Sequence, residues 1–177
     1  VMATFAMSEA LTIILKRNDP TAAARQVSLT ELGSIKINKE ERAKMLKTIP
    51  RNSIIGFLIG VLPGAGATIA SFLAYGMERN LVSDEEKEKF GKGSVHGLAA
   101  PETANNAACS GAFVPLLTLG IPGSGTTAVM LGALLGFGIQ PGPRLYVTNP
   151  EIFWSVIMSM YIGMVILLIL NLPLIPY

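Results

Sequence analysis

Apolar and polar residues are grouped along this chain in long blocks rather than alternating at short range. Val1–Leu15 is apolar apart from Ser8 and Glu9 and reads as the end of a membrane-spanning helix. Lys16–Arg51 is polar, with a short surface helix expected around Lys39–Lys47. Asn52–Met77 is then apolar for 26 residues, longer than the ~20 needed to cross a bilayer, and Pro63-Gly64-Ala65-Gly66 interrupts it near its middle. A mixed-charge loop follows, Glu78–Lys92, in which Ser83 and Glu86 have capping-box spacing. Small residues dominate Gly93–Gly111 and lead into apolar Ala112–Gly120. A second interruption, Pro122-Gly123-Ser124-Gly125, precedes apolar Thr126–Ile139. Gln140–Pro150 is a Pro-rich turn region, and Ile152–Leu172 is a 21-residue apolar run bordered by Trp154, long enough for an unbroken transmembrane helix. The pattern predicts an all-α, polytopic membrane protein with broken or re-entrant helices.

Composition agrees. Of the 177 residues 50% are hydrophobic and 15% charged, the latter well below the roughly 25% of a soluble domain, and mean hydropathy is +0.50. The charge is unevenly placed. Nine of the fourteen Lys and Arg fall between Lys16 and Arg51, against four acids, while Pro101–Asn149 holds only Arg144. Basic loops are retained on the cytoplasmic side. A net charge of +2 is too small to argue for nucleic acid. With one cysteine, Cys109, and one histidine, His96, no disulfide framework or zinc cluster can be assembled. Val1–Leu15 has neither a basic leader nor a small-residue cleavage site, so it is not read as a signal peptide. With Val1 first and Leu172–Tyr177 stopping just after an apolar run, the chain reads as an internal fragment.

The most informative feature is a repeat. Leu62-Pro63-Gly64-Ala65-Gly66-Ala67-Thr68 and Ile121-Pro122-Gly123-Ser124-Gly125-Thr126-Thr127 share the pattern apolar-Pro-Gly-small-Gly-small-Thr, 59 residues apart. Proline removes a backbone donor and glycine admits left-handed dihedrals, so each motif should unwind its helix. Unpaired backbone is not tolerated against lipid, so such a break persists only where it is buried in protein or lines a cavity. Each break is followed by a new half-helix, whose free N–H groups and dipole offer about half a positive charge to an anion. Thr68, Ser124, Thr126 and Thr127 can add hydroxyl donors. A single break reads equally well as a glycine hinge or a tight helix crossing. Two matched breaks favour a substrate site, because paired broken helices mark that site in secondary transporters. Pro63, Gly64, Ala65, Gly66, Thr68, Pro122, Gly123, Ser124, Gly125, Thr126 and Thr127 are therefore the candidate binding residues.

Between the breaks, Glu102, Asn105, Asn106 and Cys109 are spaced to share one helix face. Ala99, Thr103, Ala107 and Gly111 form a ladder of small groups expected to admit another helix. A carboxylate within a membrane segment costs about 2.5–3.5 kcal/mol on insertion scales and is usually functional. Glu102 with Asn105 and Asn106 thus reads as a site for a coupling cation or a proton relay. The plainer reading is that Pro101-Glu102 starts a helix and the asparagines tie helices together. His96 and Cys109 read as packing or loop residues.

Several of these segments resemble the permease subunit of tripartite tricarboxylate transporters, the TctA family. They are Gly56–Thr68, Ala99–Glu102 with Ala104–Ala107, Leu119–Ser124, Gly138–Pro143 and Met160–Gly163, within a similarity running from about Met45 to Pro173. The resemblance implies a bacterial inner-membrane, multi-pass subunit about three times this length, built from two related halves, of which this chain looks like much of the second. It implies a small membrane subunit and a periplasmic solute-binding protein as partners. Carboxylate uptake would be driven by an ion gradient, with sodium or proton as coupling ion and no other cofactor. His96 stands where many members carry an acid, and Gly136-Phe137 where Ile-His is common. On this reading the chain divides into the end of a transmembrane helix (1–15), a basic cytoplasmic loop (16–51), a transport core with both breaks (52–150) and a truncated transmembrane helix (151–177).

Rival classes fit less well. There is no Gly-x-Ser-x-Gly, His cluster or acid pair in one segment, so the chain is not read as an enzyme. Phe90-Gly91-Lys92-Gly93-Ser94 resembles a P-loop but lacks the upstream glycine and has Gly93 where Ser or Thr is required. A passive anion channel or a non-transporting structural membrane subunit remains the alternative. Topology is left open: Asn52–Met77 either crosses the membrane or turns back, and the four Lys or Arg against five acids of Glu78–Lys92 do not decide which.

Overall fold

A computed structural model describes Leu11 and residues 37–174; apart from Leu11, the helix end expected over 1–15 and the basic stretch 16–36 lie outside the described residues. These form helices only, with no strand among them: α1 (Lys39–Val61), α2 (Gly66–Leu81), α3 (Asp84–Lys87), α4 (Val95–Gly111), α5 (Phe113–Leu119), α6 (Gly125–Gly136), α7 (Leu145–Thr148) and α8 (Pro150–Leu174). The all-α expectation is met.

Helix α1 starts at a reciprocal cap. The Asn38 side chain accepts from the Glu41 amide at 2.8 Å and the Glu41 carboxylate accepts from the Asn38 amide at 2.9 Å, satisfying two donors that the first turn leaves open. From there the helix runs through Pro50 and Arg51 to Val61 without a break. It is longer than the surface helix expected at Lys39–Lys47, and the loop boundary expected at Arg51 falls inside it. The cap and the acids Glu40 and Glu41 in its first turn favour this start, and Pro50 lies within the helix without ending it.

The α1 stripe that turns inward is Thr48, Asn52, Gly56 and Gly60, one residue every four. It meets Ala100, Ala104 and Ala108 of α4, which are essentially inaccessible. A methyl group added at Gly56 or Gly60 would fall 2.5 Å from the Cα of Ala104 or Ala108, so the two backbones are in contact and only glycine fits. Ala70 and Ala74 of α2 complete this small-residue core. The ladder differs from the expected one by one position. Ala100, Ala104 and Ala108 are buried, whereas Ala99, Thr103 and Ala107 are half-buried; Gly111 is buried as expected. Two adjacent small stripes lie along α4, about 100° apart, and the glycines of α1 select between them. Gly60→Leu should therefore destabilise the protein at or above the upper end of the roughly 1–3 kcal/mol typical of overpacking. Gly76→Ala in α2, with nothing within 4 Å, should be neutral or stabilising by up to about 1 kcal/mol. Thermal unfolding of the purified full-length protein, followed by circular dichroism, checks both.

Helix α2 runs back alongside α1. Thr48 and Asn52, well before the end of α1, hydrogen-bond Glu78, near the far end of α2. Lys44 reaches Glu86 beyond it at 3.1 Å. The first break is thus the tip of a helical hairpin, and Glu78–Lys92 lies at the same end as the basic start of α1. Helix α4 begins at this end too, with Ser94 capping the Gly97 amide, and runs parallel to α1. The capping box expected at Ser83 and Glu86 is absent: Ser83 occupies the N-cap position but its side chain makes no cap bond. Glu86 is drawn instead to Lys89 and Lys44, whose hydrogen bonds hold its carboxyl below the usual range.

Helix α8 is the one helix among the described residues long and apolar enough to cross a membrane, over Pro150–Leu172 with mean hydropathy 2.4. It matches the unbroken apolar run read from the sequence.

Candidate binding site

Each repeated motif ends one helix and starts another. At the first, proline disfavours helical geometry at the residue before it, and Leu62 is extended, φ −79° and ψ 116°. Gly64 and Gly66 take left-handed dihedrals, φ 85° and 68°, and α2 begins at Gly66 without a side-chain cap. At the second, Gly120 closes α5 in the left-handed region, φ 72°, and Ser124 opens α6 in an extended conformation.

The two breaks meet. The Gly64 amide donates to the Gly123 carbonyl at 3.3 Å, so part of the backbone that each interruption leaves open is satisfied by the other. Gly123 is buried, and a Cβ there would sit 3.2 Å from the Ala112 Cβ and 3.5 Å from the Gly60 carbonyl. Around this contact lies a cleft of about 660 Å³, lined by Gly64, Gly66, Ala67 and Thr68 from one side, by Pro122–Ala128 from the other, and by Cys109 and Phe113. None of its lining residues is charged. Its polarity comes from backbone and hydroxyl groups at the starts of α2 and α6, both positive dipole ends.

The hydroxyls divide into two kinds. Ser124 accepts from the Thr127 amide at 3.2 Å, while the Thr127 hydroxyl accepts from the Ser124 amide at 2.8 Å and donates to the Ser124 carbonyl at 2.9 Å. This cap fixes the entry to α6, and Thr127 is only 2% exposed. Thr68 and Thr126 are exposed and stand open to the cleft.

The other expected group is placed apart. Glu102 and Asn106 are exposed on α4 and Asn105 is half-buried; the Asn106 side chain donates to the Glu102 carbonyl at 2.8 Å. Glu102 and Asn106 line a smaller cleft of about 380 Å³ with Ser53, Thr103, Ala107, Ser110 and Met164. Cys109, on the same sequence face, belongs to the cleft between the breaks. The four-residue polar face thus serves two different cavities, and Glu102 does not line the one that joins the motifs.

A third polar group was not foreseen. At the end of the hairpin opposite the break, Glu78 is wholly buried. Both its oxygens accept from Arg51 Nη2 at 2.6 Å. Thr48 donates to Oε1 at 2.9 Å and Asn52 to Oε2 at 2.9 Å. His96 Nδ1 lies 3.1 Å from Oε1 and 2.7 Å from the Thr48 hydroxyl. His96 is therefore more than a packing residue, and Glu78 and Arg51 are not loop residues. The signal available in the sequence was the four-residue spacing that runs from Thr48 and Asn52 into Gly56 and Gly60, and from Ala70 and Ala74 into Glu78.

Comparison with known proteins agrees with the resemblance seen in the motifs and extends it. The chain is 43% identical over 159 residues to an uncharacterised 52.8 kDa protein in the TAR-I ttuC′ 3′ region of Agrobacterium vitis. It is 50% identical over 120 residues to an uncharacterised protein in the TAR-II ttuC′ 3′ region of the same organism. These alignments take in 90% and 68% of the chain but 31% and 49% of the relatives, so the chain spans less than half the length of either. No solved structure matches it. The tripartite tricarboxylate transporter TctA family matches residues 1–177, the whole chain, and the protein belongs to that family.

Proposed function

We propose that the chain is part of the membrane-embedded permease of a carboxylate uptake system, and that the cleft between the two breaks receives the carboxylates. The observation that carries this reading is the hydrogen bond from Gly64 to Gly123 at the floor of a cleft onto which two helix N-termini open. The hairpin geometry supports it. From Asn52 to Val61 α1 advances about 14 Å at 1.5 Å per residue, close to half the roughly 30 Å hydrocarbon thickness. With the charged open end of the hairpin at the cytoplasmic surface, the first break would lie near mid-membrane, where transporter substrate sites are built. Asn52–Met77 is then re-entrant, and the protein is multi-pass in the bacterial inner membrane. A small membrane subunit and a periplasmic binding protein complete the system, as the family's tripartite description implies.

Charge balance points to coupling. A tricarboxylate near neutral pH carries up to about three negative charges, while two helix dipoles offer only about one positive charge. A co-transported sodium ion or proton would narrow the gap, and Glu102, Asn105 and Asn106 are the candidates for holding it. Proteoliposomes holding the full-length permease and its partner subunits test the proposal. A carrier exchanges labelled for unlabelled citrate at a saturable, coupled rate, and collapsing the driving gradient abolishes net uptake. Citrate flux without exchange would mark a channel, and no citrate flux a structural subunit.

A further inference from the structure

The smaller cleft beside Glu102 is supplied unequally with donors and acceptors. Glu102, Asn106 and Ser110 of α4 line it, spaced so that they follow one helix face, together with Ser53 of α1. Gly56 packs on Ala104 and the two helices run parallel, so Ser53, one turn earlier, stands level with Pro101 and Glu102. Ser110 gives its one hydroxyl proton to the Asn106 carbonyl at 3.4 Å, and Asn106 commits an amide proton to the Glu102 carbonyl at 2.8 Å. Those bonds leave Asn106 Oδ1 and the Ser110 lone pairs to accept. An ionised carboxylate also only accepts, and that of Glu102 is unclaimed. The ion pairs among the described residues use Glu40, Glu78 and Glu86 as their acids, and no Lys, Arg or His lines the cleft.

We propose that this cleft is a sodium site, with the Glu102 carboxylate, Asn106 Oδ1 and the Ser53 hydroxyl as its protein ligands. Oxygen lone pairs around one negative charge suit a hard cation. A calcium or magnesium ion would keep a net positive charge beside a single carboxylate, in a segment where net charge is costly, whereas a monovalent ion is balanced. A proton would sit on Glu102 alone and give Ser53 and Asn106 no part. Because Gly56 brings the α1 backbone onto α4, the two helices hold their oxygens close together, which favours sodium over the larger potassium. Ser110 offers the next oxygen along α4 towards Cys109, which lines the cleft between the breaks. From Glu102 to Cys109 the helix rises about 10 Å. A cation at that distance offsets part of the charge of a bound carboxylate. In this coupling role, though not in sodium binding itself, the inference rests on the carboxylate reading above.

The test is binding of radioactive sodium to the purified full-length protein in nanodiscs, without citrate and with choline holding the ionic strength constant. The expected result is saturable binding, displaced by unlabelled sodium and less readily by potassium, and lost in Glu102→Gln. Ser53→Ala and Asn106→Ala should each weaken it at least about tenfold, since changing a group that merely orients a metal ligand already costs about 10–100-fold. Four results overturn the proposal: no saturable binding to the unaltered protein, binding that survives Glu102→Gln, full affinity in both Ser53→Ala and Asn106→Ala, or equal displacement by potassium. Should Glu102→Gln fail to fold, the unaltered protein and the two neutral variants decide. With citrate absent, failure here leaves the carboxylate reading standing, and a cleft that does not bind citrate leaves this result standing.

Discussion

Replacing Thr126 with aspartate is expected to leave the protein at least as stable as before and to cut its apparent affinity for a tricarboxylate about a thousandfold. Thr126 is exposed in the cleft, two residues into α6, after the cap formed by Ser124 and Thr127. A carboxylate in the first turn of a helix is stabilising by typically 0.3–1 kcal/mol, so folding does not suffer. The same carboxylate occupies the potential that the substrate would use. At an effective dielectric of about 20, two unit charges about 4 Å apart repel by roughly 4 kcal/mol, close to a factor of 10³. Thr126→Asn has similar size and polarity without the charge and should cost little. Citrate binding by calorimetry and thermal unfolding of the same two variants separate the outcomes. Loss of stability together with loss of binding in both would mean that the residue matters only for packing.

The second large effect concerns the open end of the hairpin. Arg51→Ala removes the partner that both oxygens of Glu78 contact and leaves a wholly buried carboxylate with only Thr48, Asn52 and His96. Breaking a fully buried pair by removing one member typically costs about 3–5 kcal/mol; with the Arg51 side chain 38% exposed, water enters where it stood and the expected loss is at or below the lower end of that range, still a large share of the roughly 5–15 kcal/mol total of an ordinary domain. Adding Glu78→Gln to Arg51→Ala should recover part of that loss, because the stranded charge goes with it. Denaturant unfolding of the single and double variants gives the comparison. Equal stabilities of Arg51→Ala and the double variant would mean the charge is not what makes the loss costly.

Much of the candidate site was legible because its chemistry is local. Pro63 and Gly64, and Pro122 and Gly123, carry their conformational consequences in their own covalent structure, so two helix breaks followed from residue identity. That they would touch was a matter of tertiary structure, argued only from the cost of leaving unwound backbone against lipid. The register of α4 was less legible for a definite reason. Ala99, Ala100, Thr103, Ala104, Ala107 and Ala108 are all small, so the helix has two adjacent faces able to pack closely. The choice lies in Gly56 and Gly60 of another helix. The group around Glu78 was hidden most completely. Its members come from positions 48, 51, 52, 78 and 96, and three of them lie on a helix that continues through Pro50 into a segment whose charge suggested a loop. Ser83 shows the same dependence on partners: the Glu86 carboxylate that would complete its capping box is held by Lys44 and Lys89 instead.

Cys109 offers a direct probe of the cleft, since it is exposed and lines the cleft together with Thr68 and Ser124. In full-length protein with any other cysteines replaced, the rate at which a small thiol reagent modifies Cys109 should fall as citrate is added, with a saturable dependence and no comparable effect from an uncharged analogue. A modification rate unchanged at saturating citrate, in protein shown by calorimetry to have citrate bound, would place the carboxylates elsewhere and contradict the account.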